Sequence, residues 1–506
     1  MATSRALRRL VDDSHFSAIV LASGILLRVL SLLLSSNTGG DAFAREGIAA
    51  HWLQHPSLQL NFGPWLPFHF WLMAGFSAIL AENVRVAGRL LSLLAGTASL
   101  FIFRNLIRTV FSERAAQIGL IFFSLYSLHI AYSATSSSEA VYLLFVLLGL
   151  LGYCRFRQSG KLRSLTLSGV FFSFAGATRY EAWAFIVSVG ALVAVLAWRS
   201  RRETGLGKAA VPLLLFAFTA GFFPAFIMGN NWIKFHHLLY AVTMNHQWVA
   251  EQLTLGHPSL IYRLLSFCGV LLLTLTPIAI VGGLYGFFRS FRATVGAEVA
   301  FVTAFFACVQ FYQIASGGEM AFARYTITIG TLLIALAAYG LNEIIQESPR
   351  RPMLLQAAFG ILLLNLLAIW ALSVTPNRFS EKIASISPVL RYPHRIESLV
   401  AFLGARLKST DHIVIDDYNS ESNNIAQALG LPFPVSSRAF LASVTPASEL
   451  PGYLEHQRPR YIIYARPGVL DKALPLDGNS LPVLSHLEVR CTFQNDIYRV
   501  YEVHYP

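Results

Sequence analysis

The sequence has few charged residues and no cysteine pattern. Of its 506 residues, 13% are charged and 55% are hydrophobic, and the mean hydropathy is +0.54. Apolar runs of roughly 20 residues recur along the chain, which excludes a soluble globular protein and predicts a polytopic membrane protein. The four cysteines, at positions 154, 268, 308 and 491, have no paired spacing, so neither a disulfide framework nor a cysteine zinc site is expected.

The apolar runs predict eleven transmembrane helices. Three arginines precede the first run and no small-residue cleavage site follows it, so we expect an uncleaved first span. The predicted spans lie near residues 16–35, 86–107, 115–133, 139–153, 164–178, 182–198, 209–228, 260–288, 297–315, 325–345 and 353–374.

The basic residues indicate the orientation of these spans. Residues 1–374 contain 26 Lys and Arg against 14 Asp and Glu, whereas residues 375–506 contain 13 of each. With the N-terminus inside, the N-terminal segment and five short connections hold 18 of the 26 basic residues, as positively charged cytoplasmic loops do. Eleven spans then place the C-terminal part outside, and we expect the plasma (inner) membrane of a bacterium. No basic patch stands on a soluble module, so nucleic-acid binding is excluded.

The first predicted outer loop, residues 36–85, is unusually polar and aromatic. From Gly39 to Trp71 it reads GGDAFAREGIAAHWLQHPSLQLNFGPWLPFHFW, a composition suited to the membrane–water boundary. The apolar stretch 64–80 is interpreted as an interfacial or re-entrant helix, because a further span here would turn the arginine clusters outward. Asp41 fits two roles, the N-cap of a helix that runs to about Gln54 or a catalytic carboxylate, and the pattern leaves both open.

Further ionisable and hydroxyl side chains stand at the outer ends of the predicted spans. Such groups are costly at membrane depth and usually pair with one another or line a wet cavity, so each is a candidate for substrate binding. The alternative for Arg179 and Glu181 is a mutual ion pair, and Arg28 in the first span could reach the interface by snorkelling. The substrate-binding candidates are Arg45, His69, Glu139, Arg179, Tyr180, Glu181, Glu319, Arg324 and Tyr325.

From about residue 375 the composition becomes that of a small soluble α/β domain. Residues 399–407 are predicted to be helical. HIVID (412–416) and YIIYA (461–465) are predicted as buried strands, and 487–493 with 497–503 as a hairpin. The sequence therefore predicts two domains, a transmembrane part at 1–374 and an extracytoplasmic part at 375–506.

Several motifs of the first outer loop resemble those of a known superfamily. The Asp that opens the first outer loop, the R-x-x-I-A-x-x-W that follows and the aromatic–proline segment resemble the GT-C superfamily of polytopic glycosyltransferases. Within it, the chain is most similar to the branch of the protein O-mannosyltransferases and lipid A aminoarabinose transferases. The resemblance implies a polyprenyl-phosphate sugar donor, Asp41 as the base for the acceptor, and inversion of configuration at the anomeric carbon. Ala42 replaces the second acid common in the branch, which leaves Glu46 or Glu139 for that role and leaves a divalent metal open.

The chemistry suits these residue types. A carboxylate can take the proton of an acceptor hydroxyl, and an arginine can bind the leaving lipid phosphate, with Arg324 the first candidate, then Arg179, then Arg45 or Arg28. The acceptor is a lipid, a glycan or a protein. Two other functions are considered: a transporter or flippase of a lipid-linked sugar, which usually shows repeated halves that this sequence lacks, and a non-catalytic assembly protein that docks through its C-terminal domain.

Overall fold

The computed structural model describes most of the chain. The described residues are 14–37, 39–58, 65–80, 83–256, 259–318, 322–347, 351–374, 383–418, 421–431, 438–442, 447–466, 468–473 and 488–505.

The described residues between 14 and 374 form a helical membrane part. Its helices are α1 (Ser14–Leu34), α2 (Gly40–Gln54), α3 (Phe68–Ile79), α4 (Val84–Val110), α5 (Glu113–Ser124), α6 (Ser127–Tyr132), α7 (Glu139–Ser159), α8 (Leu162–Gly176), α9 (Ala182–Thr204), α10 (Leu206–Phe235), α11 (Tyr240–Gly256), α12 (Leu260–Ser290), α13 (Thr294–Ser316), α14 (Thr326–Glu347) and α15 (Arg351–Val374).

Eight of the described helices are long and apolar enough to cross a membrane: α1, α4, α7, α9, α10, α12, α13 and α14. Their apolar segments span 18 to 31 residues, sufficient for a hydrocarbon core of about 30 Å. Of the three other predicted spans, two differ in form from a membrane-long helix, and the third lies in a helix of 24 residues. The run 164–178 is the 15-residue helix α8, the run 353–374 is α15, and the run 115–133 is divided into α5 and α6.

The division between α5 and α6 is stabilised by Arg28. This side chain is fully buried, and its guanidinium donates to the carbonyl oxygens of Gly24 (2.8 Å), Phe123 (3.3 Å) and Ser124 (3.5 Å). A helix that ends inside a membrane leaves carbonyl groups that water cannot reach, so another donor must satisfy them. Arg28 supplies that donor, and its positive charge also suits the C-terminal end of α5. It is therefore buried inside the bundle rather than snorkelling.

The first loop contains the two helices α2 and α3. The twelve residues of α3 extend over about 18 Å, which is too short to cross the bilayer. Helix α2 begins after Gly39, whose φ of 85° is readily adopted only by glycine, and no side chain caps its first turn. Asp41 lies within this first turn and is not the N-cap, so its carboxylate remains available for other contacts.

The C-terminal part is a small α/β domain, as the sequence predicts. Its elements are α16 (His394–Gly404), β1 (Ile413–Ile415), α17 (Ser422–Ala428), β2 (Ala439–Leu441), α18 (Leu450–Gln457), β3 (Tyr461–Ala465), α19 (Val469–Ala473), β4 (Glu488–Gln494) and β5 (Tyr498–His504). The strand order is β2-β1-β3-β5-β4. β1 is parallel to β2 and β3, and the β4–β5 hairpin is antiparallel.

The two faces of this sheet pack differently. One face packs with α18 around Tyr464 and Tyr501, and the other packs with α16 and α17 around Ile415 and Ile463. Phe43 of α2 belongs to the second core and is 1% exposed. The C-terminal domain therefore sits directly on the helix that carries Asp41.

Candidate functional site

The site is built around one face of α2. Asp41 and Arg45 are four residues apart and so lie one turn apart on the same side of the helix. The Asp41 side chain is 31% exposed, and its Oδ2 accepts a hydrogen bond from Nη1 of Arg324, almost 300 residues later in the chain. The sequence analysis proposed these two residues as base and phosphate ligand, and the fold brings them into contact.

Arg324 is held by the short 3₁₀ turn Ala323–Tyr325, which leads into α14. Its Nη2 donates to the hydroxyl of Tyr325 at 3.3 Å, and its guanidinium lies 5.0 Å from the centre of that ring. The guanidinium of Arg179 lies 5.4 Å from the same ring. Both cations therefore contact one tyrosine, whose π face attracts positive charge.

Arg179 lies in the turn between α8 and α9 and is paired with two carboxylates. Its Nη1 donates to Glu139 at 2.7 Å, and its Nη2 and Nε donate to Glu181 at 2.5 and 2.9 Å. The ion pair of Arg179 and Glu181 anticipated from the sequence is thus present, but Glu139 from α7 completes it. Arg179 is more fully neutralised than Arg324, which among the described residues forms an ion pair with one carboxylate, that of Asp41.

A small, partly open cavity of about 10 Å³, enough for about one water molecule, lies beside these arginines. Its polar end is formed by arginines and glutamates, and its other walls come from α7, α13 and α14. The lining residues are Glu139, Tyr142, Arg179, Glu181, Phe306, Gln310, Arg324, Tyr325, Ile327 and Thr328. Arg324 thus borders the cavity and also contacts Asp41.

Arg45 and His69 lie near the same cations and have unsatisfied polar atoms. Arg45 is 5% exposed and its guanidinium lies 5.4 Å from the ring of Trp65 and 5.5 Å from that of Phe70. Within the described part of the chain, its Nη1 has no hydrogen-bond partner, and neither ring nitrogen of the fully buried His69 has one. Buried polar atoms normally find a partner, so these atoms are suited to receive a polar ligand.

The cations determine the ionisation of Asp41. Burial raises the pKa of Asp41, but the positive charges of Arg324 and Arg45, the hydrogen bond from Arg324 and the charge of Arg179 together outweigh burial and hold this pKa below the ordinary value. Burial also lowers the pKa of Arg45 to about 10, against the opposing effect of Asp41. At neutral pH the site therefore contains an ionised Asp41 among protonated arginines.

Glu46, a candidate for the second acid, lies on another side of α2, about 140° around the helix from Asp41. It is fully buried, accepts from the hydroxyl of Ser136 at 2.7 Å and pairs with Arg85 at 3.2 Å. Burial raises the pKa of Glu46, while Ser136 and Arg85 lower it less strongly. Through these contacts Glu46 connects α2 to the turn before α7 and to the start of α4.

Three other residues predicted from the sequence, Tyr180, Glu319 and Arg28, are not placed at the cavity by the structure. Tyr180 lies next to Arg179 but packs its ring against Trp183 at 5.3 Å, and Glu319 lies outside the described residues. Arg28 is occupied at the break between α5 and α6. Sequence reasoning found Glu139 but missed the other cavity residues of the helices, which are Tyr142 of α7, Phe306 and Gln310 of α13, and Ile327 and Thr328 of α14. Among them, Gln310 offered a usable signal, because an amide within an otherwise apolar span is uncommon.

The residues that the structure describes contain no group of three His, Cys, Asp or Glu side chains placed to hold a metal ion. The carboxylates of Asp41, Glu139 and Glu181 at the site are instead each paired with an arginine. The divalent metal left open by the sequence therefore gains no ligand set from these residues.

Comparisons with known proteins agree with the fold. The family model described as dolichyl-phosphate-mannose-protein mannosyltransferase matches residues 55–227. ArnT from Cupriavidus metallidurans bound to undecaprenyl phosphate is 12% identical with a TM-score of 0.63, and the match covers 97% of this chain and 98% of that one. The apo state of the same protein gives a TM-score of 0.59 at 12% identity, with 96% and 98% coverage.

A more distant structure shares the architecture. The apo oligosaccharyltransferase of Archaeoglobus fulgidus is 12% identical with a TM-score of 0.50, and the match covers 90% of this chain and 70% of that one. No curated protein sequence matches the chain. The GT-C-like fold predicted from the sequence, with its small C-terminal α/β domain, is confirmed, as is the resemblance to polytopic GT-C glycosyltransferases.

Proposed function

We propose that this integral membrane protein is a glycosyltransferase that moves a sugar from a polyprenyl-phosphate donor to an acceptor hydroxyl at the extracytoplasmic face. The fold, the mannosyltransferase family match and the undecaprenyl phosphate held by the similar ArnT support a lipid-linked sugar as substrate. The observation that carries the proposal is the position of Arg324, which borders the cavity and donates to Asp41. Arg324 would then contact both the donor phosphate and the base, Asp41.

The donor phosphate is assigned to the polar end of the cavity. An arginine fork can give two parallel hydrogen bonds to a phosphate, and such charge-assisted bonds are about twice as strong as neutral ones. Arg179 already donates to Glu139 and Glu181, whereas Asp41 is the carboxylate partner of Arg324. Arg324 therefore has more capacity for the phosphate, and Arg179 supports it with charge.

Asp41 is assigned as the general base. It takes the proton of the acceptor hydroxyl while the acceptor oxygen forms a bond to the anomeric carbon. The bond from that carbon to the phosphate oxygen breaks, and its electron pair leaves on the lipid phosphate beside Arg324. A single displacement of this kind inverts the anomeric carbon. Base assistance contributes a factor of about 10² to 10⁴, and stabilisation of the leaving charge adds to it.

The shared arginine links donor binding to base strength. In the absence of a phosphate, Arg324 lowers the pKa of Asp41 and so makes it a weaker base. When a phosphate takes over the Nη donors of Arg324, that effect is reduced and Asp41 becomes more basic. Asp41 is then strongest as a base when the donor is in place.

The orientation in the membrane is part of the proposal. Because 18 of the 26 basic residues of the membrane part fall in the N-terminal segment and five short connections, these are assigned to the cytoplasm. Asp41 and the C-terminal domain then lie outside, which places the reaction at the outer surface of a bacterial inner membrane. The acceptor is a lipid, a glycan or a protein that presents a hydroxyl there.

A transfer assay tests the proposal. The purified protein in nanodiscs receives a panel of undecaprenyl-phosphate sugars with radiolabelled sugar, together with cell-envelope extract as acceptor. We expect label to move to an acceptor, and Asp41→Asn and Arg324→Gln to reduce the rate by at least about 100-fold. The matched controls are Asp411→Asn and Arg460→Gln, which break an ion pair of the C-terminal domain, and they should leave the rate unchanged.

Full activity of Asp41→Asn would reject this residue as the base. Movement of the intact sugar lipid across a proteoliposome without any product would instead establish a flippase.

A further inference from the structure

The helix that carries Asp41 is anchored in the C-terminal domain. Phe43 is 1% exposed and packs in the same hydrophobic core as Leu399 of α16 and Ile425 of α17. Helix α17 itself lies against α2. A side chain from the first outer loop therefore completes a core whose other members come some 350 residues later in the chain.

The segment before α2 is bound to the same part of the chain. Ser31 donates its hydroxyl to the carbonyl of Pro388 at 2.6 Å, and the hydroxyl of Ser35 accepts from the backbone N–H of Leu390 at 3.0 Å. The backbone N–H of Asn37 donates to the carbonyl of Leu390 at 3.2 Å. The residues that lead into the C-terminal domain thus fix the end of α1 and the chain that leaves it.

Between these two anchors, the local side-chain contact that the described residues show is the hydrogen bond from the backbone N–H of Gly39 to Oδ1 of Asn37 (2.7 Å), which lies before the first turn of α2. Helix α2 starts after Gly39, with φ of 85°, and no side chain caps its first turn. A glycine pair without a cap leaves the direction of the first turn weakly determined by its own sequence. The anchors at Asn37 and Phe43 lie on either side of Gly39 and Gly40, so they determine where Asp41 stands.

Phe43 and Asp41 point in different directions. Two residues of α-helix correspond to a rotation of about 200°, so a helix with Phe43 in the C-terminal core presents Asp41 to the opposite side. On that side Asp41 meets Arg324. One orientation of the first turn of α2 therefore allows Phe43 to pack in the C-terminal core and Asp41 to pair with Arg324.

We propose that Phe43 is a positioning residue, which acts through its contact with the C-terminal domain to hold Asp41 against Arg324. Through this contact the C-terminal domain helps to position the base and is more than a separate binding module. This inference rests on the proposed function only for its effect on turnover, because the position of Asp41 can be measured without a substrate.

The first experiment measures the ionisation of Asp41 in the full chain in nanodiscs. A hydrophobic carbodiimide modifies protonated carboxyl groups, and mass spectrometry of the peptide that contains Asp41 gives the labelled fraction at each pH. Asp41 faces Arg324 before α14, Arg179 between α8 and α9, Tyr132 of α6, and Arg45 on its own helix. Phe43→Ala changes none of these groups, so a shift of the labelling curve reports displacement of Asp41.

We expect Phe43→Ala to move the labelling of Asp41 to higher pH, because Asp41 loses the nearby positive charge that holds its pKa down. Arg324→Gln gives the shift for complete loss of that partner. Leu403→Ala is the matched control, since Leu403 is fully buried in the same core on α16. It should weaken the C-terminal domain and leave the labelling curve of the folded protein unchanged.

A curve for Phe43→Ala that coincides with the wild type, while Arg324→Gln is shifted, overturns the proposal. An equal shift for Leu403→Ala also overturns it, because general loosening of the domain would then suffice. If Phe43→Ala does not yield folded protein, Phe43→Val and Phe43→Leu replace it. The larger shift is expected for valine, and coincident curves for both variants and the wild type overturn the proposal.

The second experiment uses the transfer assay. Phe43→Ala should lower kcat by roughly tenfold or more, leave KM for the donor unchanged and move the acidic limb of the kcat profile to higher pH. Phe43→Leu should restore most of the rate. A uniform loss at every pH would indicate only a smaller folded fraction and would contradict a positioning role. If no variant, including the wild type, transfers sugar, the proposed function fails while the labelling result stands by itself.

Discussion

Asp41→Asn is expected to separate binding of the lipid phosphate from transfer of the sugar. The amide has the shape of the carboxylate but lacks its charge, so Arg324 loses its anionic partner and keeps its own positive charge. A phosphate that enters the cavity then no longer competes with a carboxylate for Arg324. The variant should therefore bind undecaprenyl phosphate more tightly than the wild type.

The magnitude follows from the contact that is removed. A hydrogen bond to a charged group contributes about 1.5 to 3 kcal/mol, and the lower end applies here because the side chain of Asp41 is 31% exposed. A difference of about 1.4 kcal/mol is roughly tenfold in Kd. Transfer should fall by about 10² to 10⁴-fold in the same variant, because no base remains.

Native mass spectrometry of the protein in nanodiscs, titrated with undecaprenyl phosphate, measures the Kd for the lipid. Asp411→Asn, whose carboxylate pairs with Arg460 in the C-terminal domain, is the control and should bind as the wild type does. Weaker or unaltered binding by Asp41→Asn would refute the view that Arg324 is shared between the carboxylate and the phosphate.

Four further predictions concern Glu46, Arg28 and Gly468. Glu46→Gln should retain at least about half of the transfer rate, because Glu46 bonds to Ser136 and Arg85 and does not line the cavity. An inactive Glu46→Gln variant would instead show that Glu46 takes part in the reaction. Burial raises the pKa of Glu46, so its ionisation disfavours the folded state. The melting temperature of the wild type should therefore fall relative to that of Glu46→Gln as pH rises through that pKa. A difference in melting temperature that does not change with pH would contradict this. Arg28→Met should lower stability by about 3 kcal/mol in a denaturant titration, because carbonyls at the end of α5 lose their donor, and a neutral effect would contradict that assignment. Gly468→Ala should destabilise the C-terminal domain by about 1 to 3 kcal/mol in calorimetry, since its Cβ would stand 2.3 Å from Oδ2 of Asp416, whereas Gly452→Ala meets no atom within 4 Å and should be neutral; equal effects would refute the clash.

Much of the site could be predicted from the sequence because charge is rare in this chain. Where 13% of the residues are charged and most of the chain is apolar, each ionisable group at an outer span end is conspicuous. Glu139, Arg179 and Arg324 were found in this way, Asp41 was found in the polar first loop, and the fold brings all four together. Their roles stay predictions until the variants are assayed.

The division of the third span could not be predicted from its own residues. Neither proline nor glycine stands at Leu125 or Tyr126, and the run 115–133 contains no Asp, Glu, Lys or Arg that would mark an interruption. The reason for the break lies about 95 residues earlier, in the guanidinium of Arg28. Sequence periodicity reports the local preference of a helix and contains no information about such a distant donor.

The role of Phe43 was missed for a related reason. A phenylalanine in a loop at the membrane surface suggests contact with lipid. In the structure it is instead enclosed by a domain that begins more than 330 residues later. The strands of that domain could be predicted, since β1, β3 and the β4–β5 hairpin follow the apolar patterns, but patterns within each segment do not reveal which surfaces meet.

The most direct test of the shared Arg324 is the pH at which Asp41 protonates, with and without undecaprenyl phosphate. Difference infrared spectroscopy of the carboxyl band can measure it in nanodiscs, with Asp41→Asn as the baseline. A phosphate that draws Arg324 away should move the protonation of Asp41 to higher pH. Protonation at the same pH with and without the lipid, under conditions where the lipid is bound, would contradict the account.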